Sequence, residues 1–166
     1  NREKEVAVVT KRLTREEAAP CARLIFGTAL GRGYYPTEEF LRRELERGIS
    51  EDDCFLATDD GEAVGVVWFQ RRGAFRSFPY LHLIVVRDDC QGRGFGRALM
   101  DFFENEILED DGRRLVCTNA FLLVNKDNDF ARSMYEKRGY REVTELDGLF
   151  RRKATEVLMV KRVVRE

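Results

Sequence analysis

From Leu81 to Val86 the chain is almost wholly apolar and ends on Ile84, Val85 and Val86, a composition that predicts a strand over Pro79 to Val86. Further on, Ala98, Leu99, Met100, Phe102, Phe103, Ile107 and Leu108 recur at helical spacing. The intervening stretch, Gln91-Gly92-Arg93-Gly94-Phe95-Gly96-Arg97, is therefore a strand-to-helix turn with glycine on alternate residues.

The same reading runs along the rest of the chain. Val6 to Leu13 reads as a first strand. Thr14-Arg15-Glu16-Glu17 is a capping box that opens a helix with Ala18, Cys21, Ala22 and Ile25 on one face, and Pro20 predicts a kink in it. Gly27 to Pro36 reads as a break. Thr37-Glu38-Glu39 starts another helix carrying Phe40, Leu41, Leu45 and Ile49. Its Glu39/Arg43 and Arg42/Glu46 pairs mark a solvated face. Cys54 to Ala57 and Glu62 to Gln70 are strands joined by a hairpin turn at Thr58-Asp59-Asp60-Gly61, and Arg71-Arg72-Gly73 reads as the next turn. Asp110-Asp111-Gly112 reads as the end of the helix after the glycine stretch. Leu115 to Val124 is a strand. Asp127-Asn128-Asp129 caps a short helix with Ala131, Met134 and Tyr135, and Gly139 stops it. Tyr140 to Glu145 and Glu156 to Val164 are strands on either side of a polar connection from Asp147 to Thr155. This order predicts a mixed sheet with helices on both faces, antiparallel early and with one parallel crossover after the glycine stretch.

That stretch has a chemistry. A helix N-terminus carries unpaired amides and positive dipole charge, and alternate glycines remove the side chains that would keep a ligand away. Arg93 and Arg97 add charge between them. The arrangement suits a phosphate or pyrophosphate held by backbone amides. It is neither GxGxxG nor a P-loop, since the glycines run GxGxG and no Gly-Lys-Ser/Thr follows. What remains, Gln-x-x-Gly-x-Gly, closely resembles the coenzyme A pyrophosphate loop of the GNAT superfamily of acyl-CoA-dependent N-acyltransferases.

A second stretch, 124–140, resembles the other signature of that family through Asn128, Ala131, Tyr135 and Gly139-Tyr140, with Tyr140 where Phe is more usual. The predicted element order matches the family over nearly the whole chain. The resemblance implies an α/β (α+β) fold, a single domain over 1–166, with a central mixed, mostly antiparallel twisted sheet of about seven strands and helices on both faces. It implies acetyl-CoA as cosubstrate and a primary amine as acceptor, on a small molecule or a peptide, with direct transfer in a ternary complex. In its terms Gln91, Gly92, Arg93, Gly94, Phe95, Gly96 and Arg97 hold the pyrophosphate. Ile84, Val85 and Val86 lie along the pantetheine arm as an added strand would. Asn128 and Ala131 also meet the coenzyme, Asn128 doubling as an N-cap. Tyr135 meets it too and is the general acid toward the departing thiolate, with a core aromatic as its plainer role.

A general base is sought on the strand before the loop. Period-two alternation puts Tyr80, His82 and Ile84 on one face, and His82, the chain's sole histidine, has an intrinsic pKa suited to the task. The arylalkylamine branch of the family places a His at the matching distance. Glu38 and Glu39 are the next carboxylates to consider. Tyr34 and Tyr35 are candidates for an aromatic acceptor wall, together with Tyr80. Arg151 and Arg152 are placed either to meet a carboxylate on the acceptor or, as the plainer and preferred reading, to be solvated charges. Cys90 is the one thiol near the loop.

Composition narrows the rest. Charged residues make up 36% of the chain but nearly cancel, to a formal net charge of −1, so nucleic acid and anionic membrane are not indicated as partners. No apolar run approaches a membrane span of about 20 residues. No signal-peptide pattern opens the chain, where Asn1-Arg2-Glu3-Lys4 leads into a strand-like run. The four cysteines form no CxxC and read as reduced thiols of a cytoplasmic protein, and a lone histidine argues against a metal site. A homodimer is compatible with all of this. The rival reading is a non-catalytic acyl-CoA-binding or regulatory module on the same fold.

Overall fold

The computed structural model describes residues 7–166. Residues 1–6 of the chain, including Val6 of the expected first strand, lie outside the described residues. The strands β1 (Val9–Arg12), β2 (Asp53–Asp59), β3 (Glu62–Ala74), β4 (Phe78–Val86), β7 (Cys117–Asn125), β8 (Arg141–Asp147) and β9 (Thr155–Val164) form a seven-stranded sheet in the order β1-β2-β3-β4-β7-β9-β8. A separate two-stranded ribbon pairs β5 (Glu109–Asp110) with β6 (Arg113–Arg114). The helices are α1 (Ala18–Phe26), α2 (Ala29–Tyr34), α3 (Glu38–Glu51), α4 (Phe95–Glu106) and α5 (Asp129–Lys137). The sheet is mixed and mostly antiparallel, with the expected parallel pairing of β4 and β7. Chain packing divides it into two compact units, 1–69 with 83–103, and 70–82 with 104–166.

In the first unit, period-two strands meet helices on both sides. Cys54, Val66, Trp68, Leu83 and Val85 share a core with Leu13, with Cys21, Ala22 and Ile25 of α1, and with Leu41 and Leu45 of α3. Alternate residues point the other way. There the Phe55 ring stacks on Phe69 at 6.0 Å and meets Phe102 of α4 edge-on at 4.7 Å, and Phe69 meets Phe103 at 5.2 Å. Gly65 is needed on this side, because a Cβ would fall 2.7 Å from the Val85 carbonyl oxygen and 3.0 Å from Leu99. The capping box forms as read, with the Thr14 amide donating to Glu17 Oε1 at 3.1 Å, and it opens a short 3-10 turn that leads into α1. Pro20 falls within the first turn of α1, where its missing N–H is tolerated. Thr37 caps α3 through Phe40 N at 3.0 Å, and Arg42 and Arg43 pair with Glu39 and Glu46 along its surface.

Three expectations are corrected. The Gly27–Pro36 break contains α2, whose start is capped by buried Thr28 accepting from Gly31 N at 3.0 Å. Arg71-Arg72-Gly73 is strand, not turn, and β3 runs on to Ala74. Arg71 donates to the carbonyls of Glu106 and Glu109 at 3.1 and 2.7 Å, Arg72 to Asp110, and a Cβ on Gly73 would strike Gln70 and Tyr80. The reversal comes instead at Phe75 and Arg76, with φ of +56° and +57°. Finally, Asp110-Asp111-Gly112 does not end α4. It turns the β5–β6 ribbon, with positive φ at Asp111 and Gly112.

In the second unit β9 lies between β7 and β8, in antiparallel register with both. Ala120, Leu122, Val124, Val157 and Met159 are buried. Lys161, on the same face as Val157 and Met159, reaches the buried carboxylate of Glu104, which also accepts from Arg138 Nε at 2.9 Å. That network secures the end of α5 to the sheet.

Candidate active site

The glycine stretch belongs to the first unit. The amide of Arg87, just past β4, donates to the Val64 carbonyl at 2.8 Å, and a short 3-10 turn at Asp88–Cys90 follows. Gln91 to Gly94 are exposed. Gly92 and Gly94 have φ of +78° and +89°, which only glycine adopts without strain. A Cβ on Gly92 would meet nothing within 4 Å, so the space beside Gly92 is open. Ala98 N donates to Gly94 O at 3.1 Å, which makes Gly94 the entry to α4. Gly96 and Arg97 thus lie in the first helical turn, earlier than the apolar spacing placed it. Buried Phe95 anchors this turn in the core. Amides of a first turn have no intrahelical acceptor, and the dipole there is positive. An exposed turn with two left-handed glycines at a helix N-terminus fits a pyrophosphate group.

The charges are arranged differently from the simple reading. The Arg93 guanidinium lies 4.9 Å from the Phe95 ring centre and pairs with Asp59 at 3.1 Å, so part of its charge is already answered. Gln91 turns back to Asp88 at 3.4 Å. Cys90 is buried, which withdraws it from acyl chemistry at the loop surface. Burial also pushes the Cys21 thiol up to about 12, as expected of an inert core thiol.

The second motif lies wholly in the other unit. Asn128 accepts from Ala131 N at 3.2 Å and so fills its capping role. Tyr135 is only 6% exposed, and its ring meets Tyr140 edge-on at 5.8 Å. Burial raises its hydroxyl well above the ordinary phenol range, so it keeps its proton at any physiological pH. Among the described residues that hydroxyl makes no hydrogen bond. Gly139, at φ +99°, ends α5 as read.

Along β4, Leu81, Leu83 and Val85 are buried while Tyr80, His82, Ile84 and Val86 are half-buried. The Tyr80 and His82 rings stand 6.3 Å apart. The Tyr80 hydroxyl is pushed up to about 12, by burial first and then by the charge of Glu156. Glu156 was missed by the sequence reading. It is the second residue of β9, is 1% exposed, and has the Arg151 guanidinium 3.8 Å away, so Arg151 is not the solvated charge it first suggested. The sole sequence signal for Glu156 is its period-two relation to Leu158 and Val160. Tyr34 ends α2 half-buried, and Tyr35 packs against the first unit's core with its ring 6.5 Å from Phe40. Glu39 is held in exposed ion pairs, Arg42 first among them, which lower its carboxyl below the usual range and make it a poorer base.

A mixed sheet with an open amide loop after its central strand, and a capped helix bearing a buried tyrosine, is the architecture of an acyl-coenzyme A transferase. Comparison with known proteins agrees. The family profile described as "Acetyltransferase (GNAT) domain" matches residues 28–152. N-alpha-acetyltransferase RimI of Mycobacterium tuberculosis is 32% identical over 132 residues, covering 79% of this chain and 77% of that protein. Mycothiol acetyltransferase of Streptomyces griseus is 28% identical over 148 residues, but the chain spans only 46% of its length. Among solved structures, Ard1 of Thermoplasma volcanium superposes with a TM-score of 0.77 over 96% of this chain and all of that one, at 23% identity. The Escherichia coli ribosomal-protein-S18-alanine N-acetyltransferase gives 0.73 over 96% of each chain, at 17% identity. At these identities the structures speak for the fold alone. The chain belongs to the GNAT family, as an acyl-CoA N-acetyltransferase for which the family implies acetyl-CoA as cosubstrate. No described helix is long and apolar enough to cross a membrane.

Proposed function

We propose that this chain, as one domain over 1–166, moves the acetyl group of acetyl-CoA directly onto a primary amine, in a ternary complex and without an acyl-enzyme. The observation that carries the proposal is the open loop over Gly92, Gly94 and the first turn of α4, with its two left-handed glycines. Acetyl-CoA supplies the acetyl group as a thioester. Residues 91–97 take its pyrophosphate on backbone amides, with Arg97 adding charge from the exposed side of the first turn. The polar backbone of Ile84, Val85 and Val86 pairs with the amides of the pantetheine arm, as an added strand would. Asn128 and Ala131 set the start of α5 so that Tyr135, two turns on, meets the thiol end. The amine nitrogen attacks the thioester carbonyl, and the carbon–sulfur bond breaks. Tyr135 gives its proton to the departing thiolate, or donates a hydrogen bond to it as the bond breaks. His82 takes the proton lost by the amine, with Tyr80 beside it. Tyr34 and Tyr35 stand on the acceptor side.

The acceptor is a small-molecule or peptide amine, reached in the cytoplasm, and this reading assigns no part to nucleic acid, membrane or metal. Support for an amine acceptor comes from the relatives named N-alpha-acetyltransferase RimI and mycothiol acetyltransferase. The test is release of free thiol from acetyl-CoA across a panel of amines, with the acetylated product weighed by mass spectrometry. Amine-dependent thiol release is expected. Tight acetyl-CoA binding with no thiol release for any amine makes the chain a binding module instead.

A further inference from the structure

The Tyr135 hydroxyl makes no hydrogen bond among the described residues, so no polar partner fixes its direction. Main chain and ring packing set it instead. The Tyr135 carbonyl accepts from two amides, Arg138 N and Tyr140 N, each at 3.0 Å. The Tyr135 ring meets the Tyr140 ring edge-on at 5.8 Å. Arg138 and Tyr140 stand on either side of Gly139, whose φ of +99° turns the chain out of α5. Whatever fixes Arg138 and Tyr140 therefore fixes Tyr135.

One buried carboxylate reaches both. Met100, Phe103 and Ile107 form the buried stripe of α4 and its end, and helical spacing puts Glu104 within that stripe. Glu104 Oε2 accepts from Arg138 Nε at 2.9 Å, with Nη2 at 2.8 Å, and its Oε1 accepts from Lys161. The Lys161 stem passes Gly139, where a Cβ would lie 3.6 Å from Cε, and its ammonium stands 5.7 Å from the Tyr140 ring centre. One side chain thus ties together the end of α4, the turn after α5 and β9, all within the second unit. Arg138 makes further contacts, so Glu104 steers it without being its sole anchor. A stripe position of this kind is ordinarily apolar, and burying a carboxylate with two cations carries a desolvation cost that an apolar side chain avoids. What the charge supplies is direction. Apolar contact is non-directional, whereas charge-assisted hydrogen bonds hold their donors near one distance and angle. The Tyr140 hydroxyl is buried without a partner, so Tyr140 contributes its ring to this arrangement and not its polar end.

We infer that Glu104 is a positioning residue for the reaction: by holding Arg138 and Lys161 it fixes the carbonyl and ring contacts that set the direction of the Tyr135 hydroxyl. This rests on the proposed role of Tyr135 toward the departing thiolate. A hydroxyl moved off its line meets that sulfur poorly just when the carbon–sulfur bond breaks, so the loss falls on kcat and not on KM. Glu104 touches neither coenzyme nor amine in this reading and acts through Arg138, Lys161 and Tyr140.

The test pairs each change with Tyr135→Phe. Kinetics use whichever of 2-phenylethylamine, leucinamide, glycinamide and spermidine the wild-type protein acetylates fastest, beside calorimetric titration of acetyl-CoA. Glu104→Gln keeps the shape and removes the charge. It should lower kcat about ten-fold, with amine KM and acetyl-CoA affinity within about two-fold. In the Tyr135→Phe background the same change should lower kcat by less than about two-fold, because no hydroxyl is left to misdirect. Tyr140→Leu should behave as Glu104→Gln does, while Tyr140→Phe, which keeps the ring, should turn over as wild type. Fluorine NMR of coenzyme-free protein carrying 3-fluorotyrosine at its five tyrosines gives a second readout, the Tyr135 signal being assigned by its absence in Tyr135→Phe. Glu104→Gln should shift that signal and leave those of Tyr34 and Tyr35 in place. Equal loss of kcat in both backgrounds overturns the inference, as does unchanged turnover in Glu104→Gln or an unmoved Tyr135 signal. If Glu104→Gln does not fold, Lys161→Met and Tyr140→Leu decide by the same criteria. Full turnover in Tyr135→Phe removes the role of Tyr135 and this inference with it, but leaves acetyl transfer standing. Wild-type protein that acetylates none of the four amines overturns the proposed function first, and this inference falls with it.

Discussion

Two strand-to-helix turns in this chain solve the same problem in opposite ways. Both must deal with the unpaired amides that open a helix. Before α5 the chain closes the gap itself, with Asn128 accepting from Ala131 N and Asn125 Oδ1 accepting from Asp127 N at 2.8 Å. Before α4 Gly92, Gly94 and Gly96 carry no side chain to do this, and Gln91 to Gly94 are exposed. A capped turn gains stability and offers little to a ligand. A turn built on left-handed glycines gives up side-chain capping at those positions and suits an anion. In the function proposed here the difference separates a helix that positions a side chain, Tyr135, from a helix whose own backbone would do the binding.

The largest break in this comparison should come from filling the open turn with the wrong charge. Gly96→Asp places a carboxylate in the first turn of α4, where a diphosphate would lie, and should weaken acetyl-CoA by on the order of 10³-fold. Calorimetry on a variant shown to unfold cooperatively checks it; unchanged affinity would mean that the coenzyme's anion binds elsewhere. In the capped unit the effect should fall on chemistry and not on binding. Tyr135→Phe should lower kcat about 10²-fold with acetyl-CoA affinity nearly unchanged, because the hydroxyl acts as the thiolate leaves. Equal turnover returns Tyr135 to the core beside Tyr140.

His82→Gln should lower the rate near neutrality by a similar factor, about 10²-fold. A base works only when neutral, so wild-type activity should rise with pH through the range where an imidazole loses its proton, and the variant should lack that limb. A profile of unchanged shape and height assigns the proton to another group. Gly94→Ala is a gentler version of the first change. It forces a Cβ into a backbone at φ +89° and should cost about ten-fold in acetyl-CoA affinity. The smallest effect belongs to the cap itself. Asn128→Ala removes the acceptor for Ala131 N and should lower unfolding free energy by about 1 kcal/mol, read from a denaturant midpoint at constant slope. A loss several times larger would show that Asn128 does more than cap.

Much of this was legible along the chain because the physics is local. Thr14, Thr37 and Asn128 are caps whose partners lie three residues on. The Asp60-Gly61 hairpin has the residues that its left-handed turn favours. Strand and helix periods marked Cys21, Ile25, Leu41, Leu45 and Phe103 for burial, and all are buried. The glycine stretch and the Asn128–Tyr135 spacing carried the family with them.

What local physics could not fix was any choice that depends on a partner far along the chain. α2 is a local case that the glycines hid: it forms through a stretch of poor helix propensity because Thr28 caps it and Arg32 donates to the Phe26 carbonyl at 3.1 Å. Arg71-Arg72-Gly73 has the look of a turn, yet Glu106, Glu109 and Asp110 hold the two arginines in strand, and the reversal moves to Phe75, where contact with Phe121 offsets a strained backbone. Glu156 is the plainest case. By sequence it is an acidic residue at the start of a strand, indistinguishable from a solvated one. Only the register of β9 against β7, and the return of Arg151 from the connection before it, turn it into a buried charge, because burial is a property of neighbours and not of the residue.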